Sequence, residues 1–276
     1  MRFNKPGAIL LGVLASVPLA AQNAPVHGLW VWKSASVLAP PGAAEKLRDF
    51  CRSQGINEVY VALPAGGAAA LAHPIAVLHR SHIRVEALLS STDADERGEH
   101  RQKLLDRVRA IVEFNRGSTE RFDGIHLDIE PQQRPENKGP GNLAFLAGLV
   151  QVYREVRALA EPAQLTVNAD IQNKLLKGTL AERRMLLTSL PRLTLMLYEL
   201  SSANEAELRV TSRKFLDMAY NGLEDRNVAR IAVGLRTPDY GDRLPAMLQV
   251  LDDENRDDSH YLGWSRHSYN DVLPAR

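Results

Sequence analysis

Residues 122–131 read FDGIHLDIEP, a run in which polar and apolar side chains alternate. Successive side chains of an extended strand point to opposite faces, so this run predicts a β-strand with two different faces. One face carries the small and polar residues Gly124, His126, Asp128 and Glu130, and the other carries Ile125, Leu127 and Ile129. The apolar face suits contact with helices. The polar face suits the interior of a barrel, with Glu130 at the carboxyl end of the strand.

Similar strand-like runs recur on both sides of this segment. The complete set covers residues 27–32, 57–63, 84–89, 122–130, 164–170, 192–200, 229–237 and 261–268. Segments with helical periodicity lie between them, as in residues 104–112 and 146–156. This alternation predicts a single (β/α)8 TIM barrel, a fold that takes about 250 residues. A doubly wound open sheet is the alternative, but no G-x-G-x-x-G turn follows the first run.

Composition limits the classes of partner. The 276 residues include 34 Lys+Arg and 33 Asp+Glu, a formal net charge of +1, which excludes a polyanion-binding surface built on bulk charge. The basic residues are scattered along predicted helices without interleaved aromatic residues, so no nucleic-acid partner is expected. We find no internal repeat and no linker, and residues 22–276 are predicted to form one domain.

The first 21 residues resemble an export signal. Arg2 and Lys5 precede an apolar run over residues 8–19, and the small residues Ala20 and Ala21 follow it. The run is shorter than the roughly 20 residues that a membrane-spanning helix needs, so we expect cleavage, a periplasmic or secreted protein and no stable membrane insertion. An uncleaved anchor is the alternative. Cys51 is the only cysteine, which excludes an intramolecular disulfide, and its helical setting predicts burial.

A barrel places its active site at the carboxyl ends of its strands. Asp128 and Glu130 stand there on one face of the fourth strand. Neighbouring carboxyl groups raise each other's proton affinity, which can keep one of them protonated as a general acid near neutral pH. Two other readings stay open: a divalent metal held by these carboxylates with His126, and a helix-capping role for Glu130 before Pro131.

The fourth strand resembles the D-x-x-D-x-D-x-E signature of glycoside hydrolase family 18, the chitinase and endo-N-acetylglucosaminidase family. Asp123 matches its first Asp, Asp128 its third and Glu130 its Glu, while His126 stands in place of the second Asp. If the family scheme holds, His126 is neutral and hydrogen-bonds Asp128.

Two later segments extend the resemblance. Met196, Tyr198 and Glu199 in MLYE look like the family's M-x-Y-D on the sixth strand, with Glu199 longer than Asp by one methylene. Trp264 in GWSRHSYND is similar to the tryptophan at the floor of the family's barrel, and acidic Asp271 follows.

The resemblance implies an exported retaining glycosidase that acts on N-acetylhexosamine-containing polysaccharide or glycan and needs no cofactor or metal. Glu130 would be the acid and then the base, while Asp128 and Tyr198 would orient the substrate's 2-acetamido group, whose oxygen attacks the anomeric carbon. Trp264 would floor the sugar subsite. The departures at His126 and Glu199 leave two alternatives: a glycosidase for a non-acetylated bacterial polysaccharide, with Asp128 or Glu199 as nucleophile, or a carbohydrate-binding barrel without turnover.

Further candidate sugar contacts lie at other strand ends. Asp170, Arg236 and Trp32 rank highest because they stand closest to the carboxyl ends of their predicted strands, ahead of Trp30, Glu86 and Asn168. Residues 132–141 form a Pro/Gly-rich loop directly beyond Glu130, either a wall of the cleft or a solvated loop. The acidic run 252–258 is expected to be a solvated loop. Linkage, endo or exo action and oligomeric state do not follow from the sequence.

Overall fold

A computed structural model describes residues 25–139, 141–198, 204–225 and 227–273. Its strands form one closed barrel in the order of the chain, with every neighbouring pair parallel. They are β1 Val26–Val31, β2 Glu58–Ala62, β3 Arg84–Ser91, β4 Gly124–Ile129, β5 Thr166–Gln172, β6 Arg192–Met196, β7 Arg230–Arg236 and β8 Tyr261–His267. The predicted (β/α)8 fold is confirmed. The predicted export signal over residues 1–21 and the candidate Glu199 lie outside the described residues.

Helices surround this barrel. They are α1 Ser34–Val37, α2 Ala43–Ser53, α3 Ala72–His79, α4 Glu99–Gly117, α5 Leu146–Ala160, α6 Asn173–Leu176, α7 Leu180–Leu187, α8 Glu205–Tyr220, α9 Thr237–Tyr240 and α10 Leu244–Asn255. Within the described ranges, none of them is long and apolar enough to cross a membrane. The run 252–258 was expected to be a loop, but its first four residues end α10, where Asp252 faces the barrel and accepts hydrogen bonds from His27, Tyr261 and Trp264.

The main apolar core lies between the barrel and the helices. Ile125, Leu127 and Ile129 of β4 are buried in this layer, as their alternation predicted. Cys51 is fully buried in the same layer, and burial raises the pKa of its thiol to about 12, so it is no nucleophile.

The barrel lumen is filled with polar and aromatic side chains. At its amino end, Glu58 is bound by Arg192 (Nη2 to Oε1, 2.5 Å) and by Arg84 (Nε to Oε2, 3.1 Å). Glycine makes room for the layer above: a Cβ atom on Gly28 would lie 2.3 Å from the Tyr60 hydroxyl. The amino end of the lumen is therefore filled by this ion-pair cluster, in which Glu58 is buried while Arg84 reaches solvent.

A β-bulge interrupts the alternation of β8. Its register against β7 shifts at Ile231/Ala232, next to Gly263, which has a φ of 135°. Leu262 packs in the lumen with Val26 and Ala232, and after the bulge the inward positions fall on Ser265 and His267. A bulge adds one residue to a strand and so exchanges its two faces. Trp264 is thereby turned outward.

Candidate active site

Glu130 stands at the carboxyl mouth of the barrel, just after β4. Its Oε1 accepts hydrogen bonds from the side-chain amides of Gln172 (2.8 Å) and Gln132 (3.3 Å), and its Oε2 accepts one from Gln133. Burial raises the pKa of Glu130 above its ordinary value, the Gln172 hydrogen bond opposes this, and the Asp170 carboxylate adds to the rise. The group is thus suited to hold a proton at a higher pH than a free glutamate.

Asp128 lies one inward position below Glu130, as the alternation predicted. Its Oδ1 is buried and has no hydrogen-bond partner among the described residues. Burial raises the pKa of Asp128 well above its ordinary value, and the neighbouring Asp170 and Glu130 carboxylates raise it further. Burial and these neighbours therefore favour the neutral form of the Asp128 carboxyl group.

His126 fills the layer beneath Asp128 and is fully buried. Its Nε2 lies 2.8 Å from Asp170 Oδ1, its Nδ1 lies 3.5 Å from Glu86 Oε2, and its ring stacks on Tyr60 at 3.7 Å between centroids. Burial lowers the pKa of the imidazole, but the Asp170 and Glu86 carboxylates outweigh this and raise it to about 10. The predicted hydrogen bond from His126 to Asp128 is not found among the described residues, because β5 and β3 supply the partners of His126, and their carboxylates favour its protonated form.

Removing the His126 cation is expected to destabilise the fold. His126→Asn leaves Asp170 buried without its cation, whereas Glu86 keeps the Arg84 and Arg192 guanidinium groups at 3.7 Å. Removing one partner of a buried ion pair costs about 3 to 5 kcal/mol. Because the folded pKa of His126 is raised to about 10, its contribution is complete below the unfolded value of about 6.5 and is lost as pH rises from there to about 10.

Urea unfolding at both ends of this window measures the effect. The parent should lose stability as pH rises while His126→Asn loses less, and His73→Asn, whose ring is 71% exposed, should behave as the parent. Equal pH slopes in the parent and His126→Asn would contradict a buried imidazolium.

Asp170, on β5, joins two layers of the lumen. It accepts a hydrogen bond from the Trp30 indole (3.0 Å) through Oδ2, in addition to its contact with His126 through Oδ1. Asp170 was predicted as a sugar contact, but it is 2% exposed and its described partners are protein groups. Asp170 lies next to Asp128 and Glu130 and raises the pKa values of both carboxyl groups, but it does not line the surface of the mouth.

The mouth has a second wall after β6 and β7. Tyr198 carries a buried hydroxyl without a hydrogen-bond partner among the described residues, and the Arg236 guanidinium lies 5.2 Å from the centre of its ring. Burial raises the pKa of the phenol well above its ordinary value, and the Asp170, Asp128 and Glu130 carboxylates add to this. Arg236 is held by two hydrogen bonds to Asp239. Met196 is buried at the end of β6, beside Gln172.

Trp32 and His267 form the third wall. The Trp32 indole donates a hydrogen bond to His267 Nε2 (3.0 Å), and the His267 ring lies 5.6 Å from that of Tyr198. Trp32 is half-buried, so part of its ring faces the mouth. His267 was not a predicted site residue, because only the bulge at Gly263 turns it inward.

Two predicted residues lie away from this mouth. Asp123 precedes β4 at the amino end of the barrel, where its Oδ2 contacts His79 (3.0 Å) and the Val85 amide (2.7 Å). Trp264 packs on the outer face, stacked on His27 at 4.2 Å between ring centroids. The seven-residue step from Asp123 to Glu130 spans about 23 Å of strand, and β8 is bulged, so neither side chain can contact a sugar held at Glu130.

Two tryptophan substitutions test whether Trp32 or Trp264 lies near the bound sugar. Trp264→Phe removes a hydrogen bond to Asp252 on the outer face, so we expect a loss of about 1 kcal/mol in unfolding free energy and no more than about a twofold change in kcat/KM. Trp32→Phe removes the hydrogen bond to His267 at the mouth and should raise KM for a saccharide several-fold. A large rise in KM for Trp264→Phe alone would show that the sugar binds near Trp264 on the outer face and not at the mouth.

The loop beyond Glu130 is fastened to the loop after β3. Arg134 binds Asp95 (2.7 Å) and Glu96 (2.6 Å), and the Asn137 amide donates to the Pro131 carbonyl (2.9 Å). This loop contains two short 3-10 turns, Pro131–Gln133 and Pro135–Asn137. These contacts fasten the loop beside Glu130. In the described ranges no group of three His, Cys, Asp or Glu side chains is arranged to hold a metal ion, which removes the proposed set of His126, Asp128 and Glu130.

Comparison with known proteins gives similarity in structure only. No protein-family model and no curated protein matches the sequence. Among solved structures, a GH18 chitinase from Pseudoalteromonas aurantia is similar with a TM-score of 0.58 and 10% identity, covering 89% of this chain and 94% of that one. The PgaB (BpsB) glycoside hydrolase domain from Bordetella bronchiseptica follows at 0.55 and 12%, covering 88% and 93%.

A family 2 AP endonuclease from Brucella melitensis is also similar, with a TM-score of 0.51 and 15% identity over 90% of this chain and 93% of that one. At such identities the likeness shows a shared barrel fold and does not by itself select a chemistry. The choice of chemistry depends on the side chains at the mouth.

Proposed function

We propose that this chain is an exported glycoside hydrolase that acts on N-acetylhexosamine-containing polysaccharide or glycan. Glu130 is its general acid and base, and the substrate's own 2-acetamido oxygen is its nucleophile. The observation that carries the proposal is the pair of Asp128 and Glu130 at the carboxyl mouth, both with pKa values raised by burial. A barrel that only binds sugar has no need of a carboxyl group poised to transfer a proton.

The proposed reaction has two steps. In the first, Glu130 donates its proton to the glycosidic oxygen, the bond from that oxygen to the anomeric carbon breaks, and the acetamido oxygen forms a bond to the same carbon. In the second, water attacks this carbon from the side of the departed group and gives a proton to Glu130, and the acetamido group is restored. Configuration is retained because the anomeric carbon is inverted twice.

Two unpaired groups support the acetamido part of the proposal. Asp128 Oδ1 and Tyr198 Oη are buried and lack partners among the described residues, a state that costs free energy unless a ligand supplies the hydrogen bonds. An acetamide offers one donor and one acceptor, which matches a carboxyl oxygen and a phenol. The half-buried ring of Trp32 would cover the apolar face of the sugar.

The state of Asp128 argues against a carboxylate nucleophile. A carboxyl group attacks carbon only when it is ionised, and burial together with the Asp170 and Glu130 carboxylates raises the pKa of Asp128 well above its ordinary value, which disfavours the ionised form. Glu199, the other candidate nucleophile, lies outside the described residues. Substrate assistance therefore fits the described mouth better than a second carboxylate does.

A thiazoline mimic of the cyclised intermediate tests the proposal by equilibrium binding. Because it resembles the state that the mouth would stabilise, it should bind at least about 10²-fold more tightly than N-acetylglucosamine, and Tyr198→Phe should weaken it more than it weakens the sugar. Calorimetric titration of the parent and Tyr198→Phe measures both ligands. The control is Tyr220→Phe on α8, whose hydroxyl donates to the Ala229 carbonyl before the amino end of β7. Equal affinity for both ligands would count against substrate assistance.

A further inference from the structure

Three glutamine amides donate hydrogen bonds to Glu130, and they differ in the oxygen they contact and in their burial. Oε1 accepts from Gln172 at 2.8 Å and from Gln132 at 3.3 Å, while Oε2 accepts from Gln133 and from no other described side chain. Gln172 ends β5 and Gln132 is 8% exposed, whereas Gln133 is exposed at the edge of the mouth. Oε1 is thus fixed by inward-facing groups and Oε2 by a surface group.

A protonated carboxyl group has one oxygen that donates. A carboxylic O–H cannot face an amide N–H, because both are donors. Oε1 faces two amide donors, and one of them is held by a barrel strand, so the proton belongs on Oε2. A proton on Oε2 therefore displaces the Gln133 N–H group, which must turn away or give its place to the carbonyl oxygen of the same amide.

We propose that Gln133 is a positioning residue that caps Oε2 of Glu130 while this group is ionised, and that it turns away when Oε2 takes a proton from solvent water, so that the protonated Oε2 faces the glycosidic oxygen of bound substrate. Gln172 and Gln132 keep Oε1 as the accepting oxygen throughout, so Oε2 faces the substrate and carries the proton. This assignment rests on the proposed function, and it adds which oxygen acts and what occupies its place in the free protein.

The turn that carries Gln133 favours movement of this side chain alone. The next residue, Arg134, is bound to Asp95 and Glu96, and Asn137 holds the Pro131 carbonyl, so the backbone on both sides of Gln133 is fastened. The Gln133 side chain is exposed, and among the described residues its only hydrogen bond is to Glu130. A rotation of its own side-chain bonds is enough to uncover Oε2.

Other titratable groups lie near Glu130. Asp128 from β4 and Asp170 from β5 carry the neighbouring carboxyl groups, and the phenols of Tyr198 and Tyr153 face the same cluster. A hydrogen bond to a carboxylate favours its ionised form. The Gln172 and Gln132 amides lower the pKa of Glu130 against the rise caused by burial, and we expect the Gln133 amide on Oε2 to act in the same direction. Removing an amide should move the titration of Glu130 upward.

Titration of Glu130 by carbon NMR, with the resonance assigned through Glu130→Gln, tests this without turnover. Gln133→Ala should move the titration upward by about one pH unit and the alkaline limb of kcat/KM by the same amount. KM should fall several-fold while kcat changes little, because substrate no longer displaces an amide. Gln133→Asn, which keeps the amide on a shorter side chain, should give a Glu130 titration and a KM between those of the parent and Gln133→Ala. Gln102→Ala, at an exposed position of α4, should match the parent.

Gln172→Ala should differ from Gln133→Ala. It removes the strand-held donor from Oε1 and leaves the longer hydrogen bond from Gln132, so it should lower kcat about tenfold through lost orientation without lowering KM. An unchanged Glu130 titration in Gln133→Ala, or identical kinetic effects of both substitutions, would overturn the assignment. If the parent hydrolyses no glycoside, the proposed function fails, and the NMR titration still decides whether Gln133 caps Glu130.

Discussion

Glu130→Gln is expected to lower kcat/KM for an N-acetylhexosamine oligosaccharide by roughly 10²- to 10⁴-fold, the usual contribution of general acid catalysis. The substituted amide has nearly the same shape as the carboxyl group but has no acidic proton. It can still place its carbonyl oxygen toward Gln172, so the fold and the walls of the mouth should persist. Steady-state kinetics on the purified variant measures the loss.

Two controls make this result specific. Glu113→Gln changes a glutamate on α4 whose side chain is 76% exposed, and it should match the parent. Oligosaccharide affinity of Glu130→Gln, measured by calorimetry, should stay within a few-fold of the parent, because binding needs no proton transfer. Turnover within a few-fold of the parent would show that Glu130 is not the acid.

The second large effect concerns the substrate. An acetamido oxygen held next to the anomeric carbon replaces an external nucleophile, and such positioning can supply about 7 to 11 kcal/mol of the barrier in well-oriented cases. We therefore expect cleavage of an aryl N-acetylglucosaminide to exceed that of the matched glucoside by at least about 10³-fold. Parallel assays with the same aryl group compare the two sugars.

Asp128→Asn gives a second test of attack by the acetamido oxygen. The amide keeps one oxygen and one donor but cannot respond to the charge that develops on the cyclising acetamido group, so kcat should fall more than affinity. The matched control is Asp106→Asn, an exposed position on α4. Comparable rates on the two sugars, with Asp128→Asn inactive on both, would indicate a carboxylate nucleophile.

Sequence periodicity was enough to predict the barrel fold and the inward and outward faces of β4. The alternation over residues 124–130 places His126, Asp128 and Glu130 on the inward face because the strand is regular there. The outward Ile125, Leu127 and Ile129 are buried for the same reason.

Sequence reasoning failed where a position depends on backbone irregularity or on the neighbouring strand. Trp264 lies in a strand whose alternation is reversed by one extra residue at Gly263, and a glycine within a strand was the available signal. The partners of His126 come from β5 and β3 and are set by register across the sheet. Gln172 was missed because its strand continues two residues beyond the predicted end at Asp170.

The central claim is that Glu130 gives a proton to the departing oxygen, and the dependence of the Glu130→Gln defect on leaving group tests it most directly. A leaving group that departs readily as an anion needs little protonation, whereas a sugar alcohol needs it fully. Our account predicts a loss of roughly 10²-fold or more in kcat/KM on an oligosaccharide and a much smaller loss on the dinitrophenyl N-acetylglucosaminide. An equal loss on both substrates would contradict it, because a group that only shapes the site affects every leaving group alike.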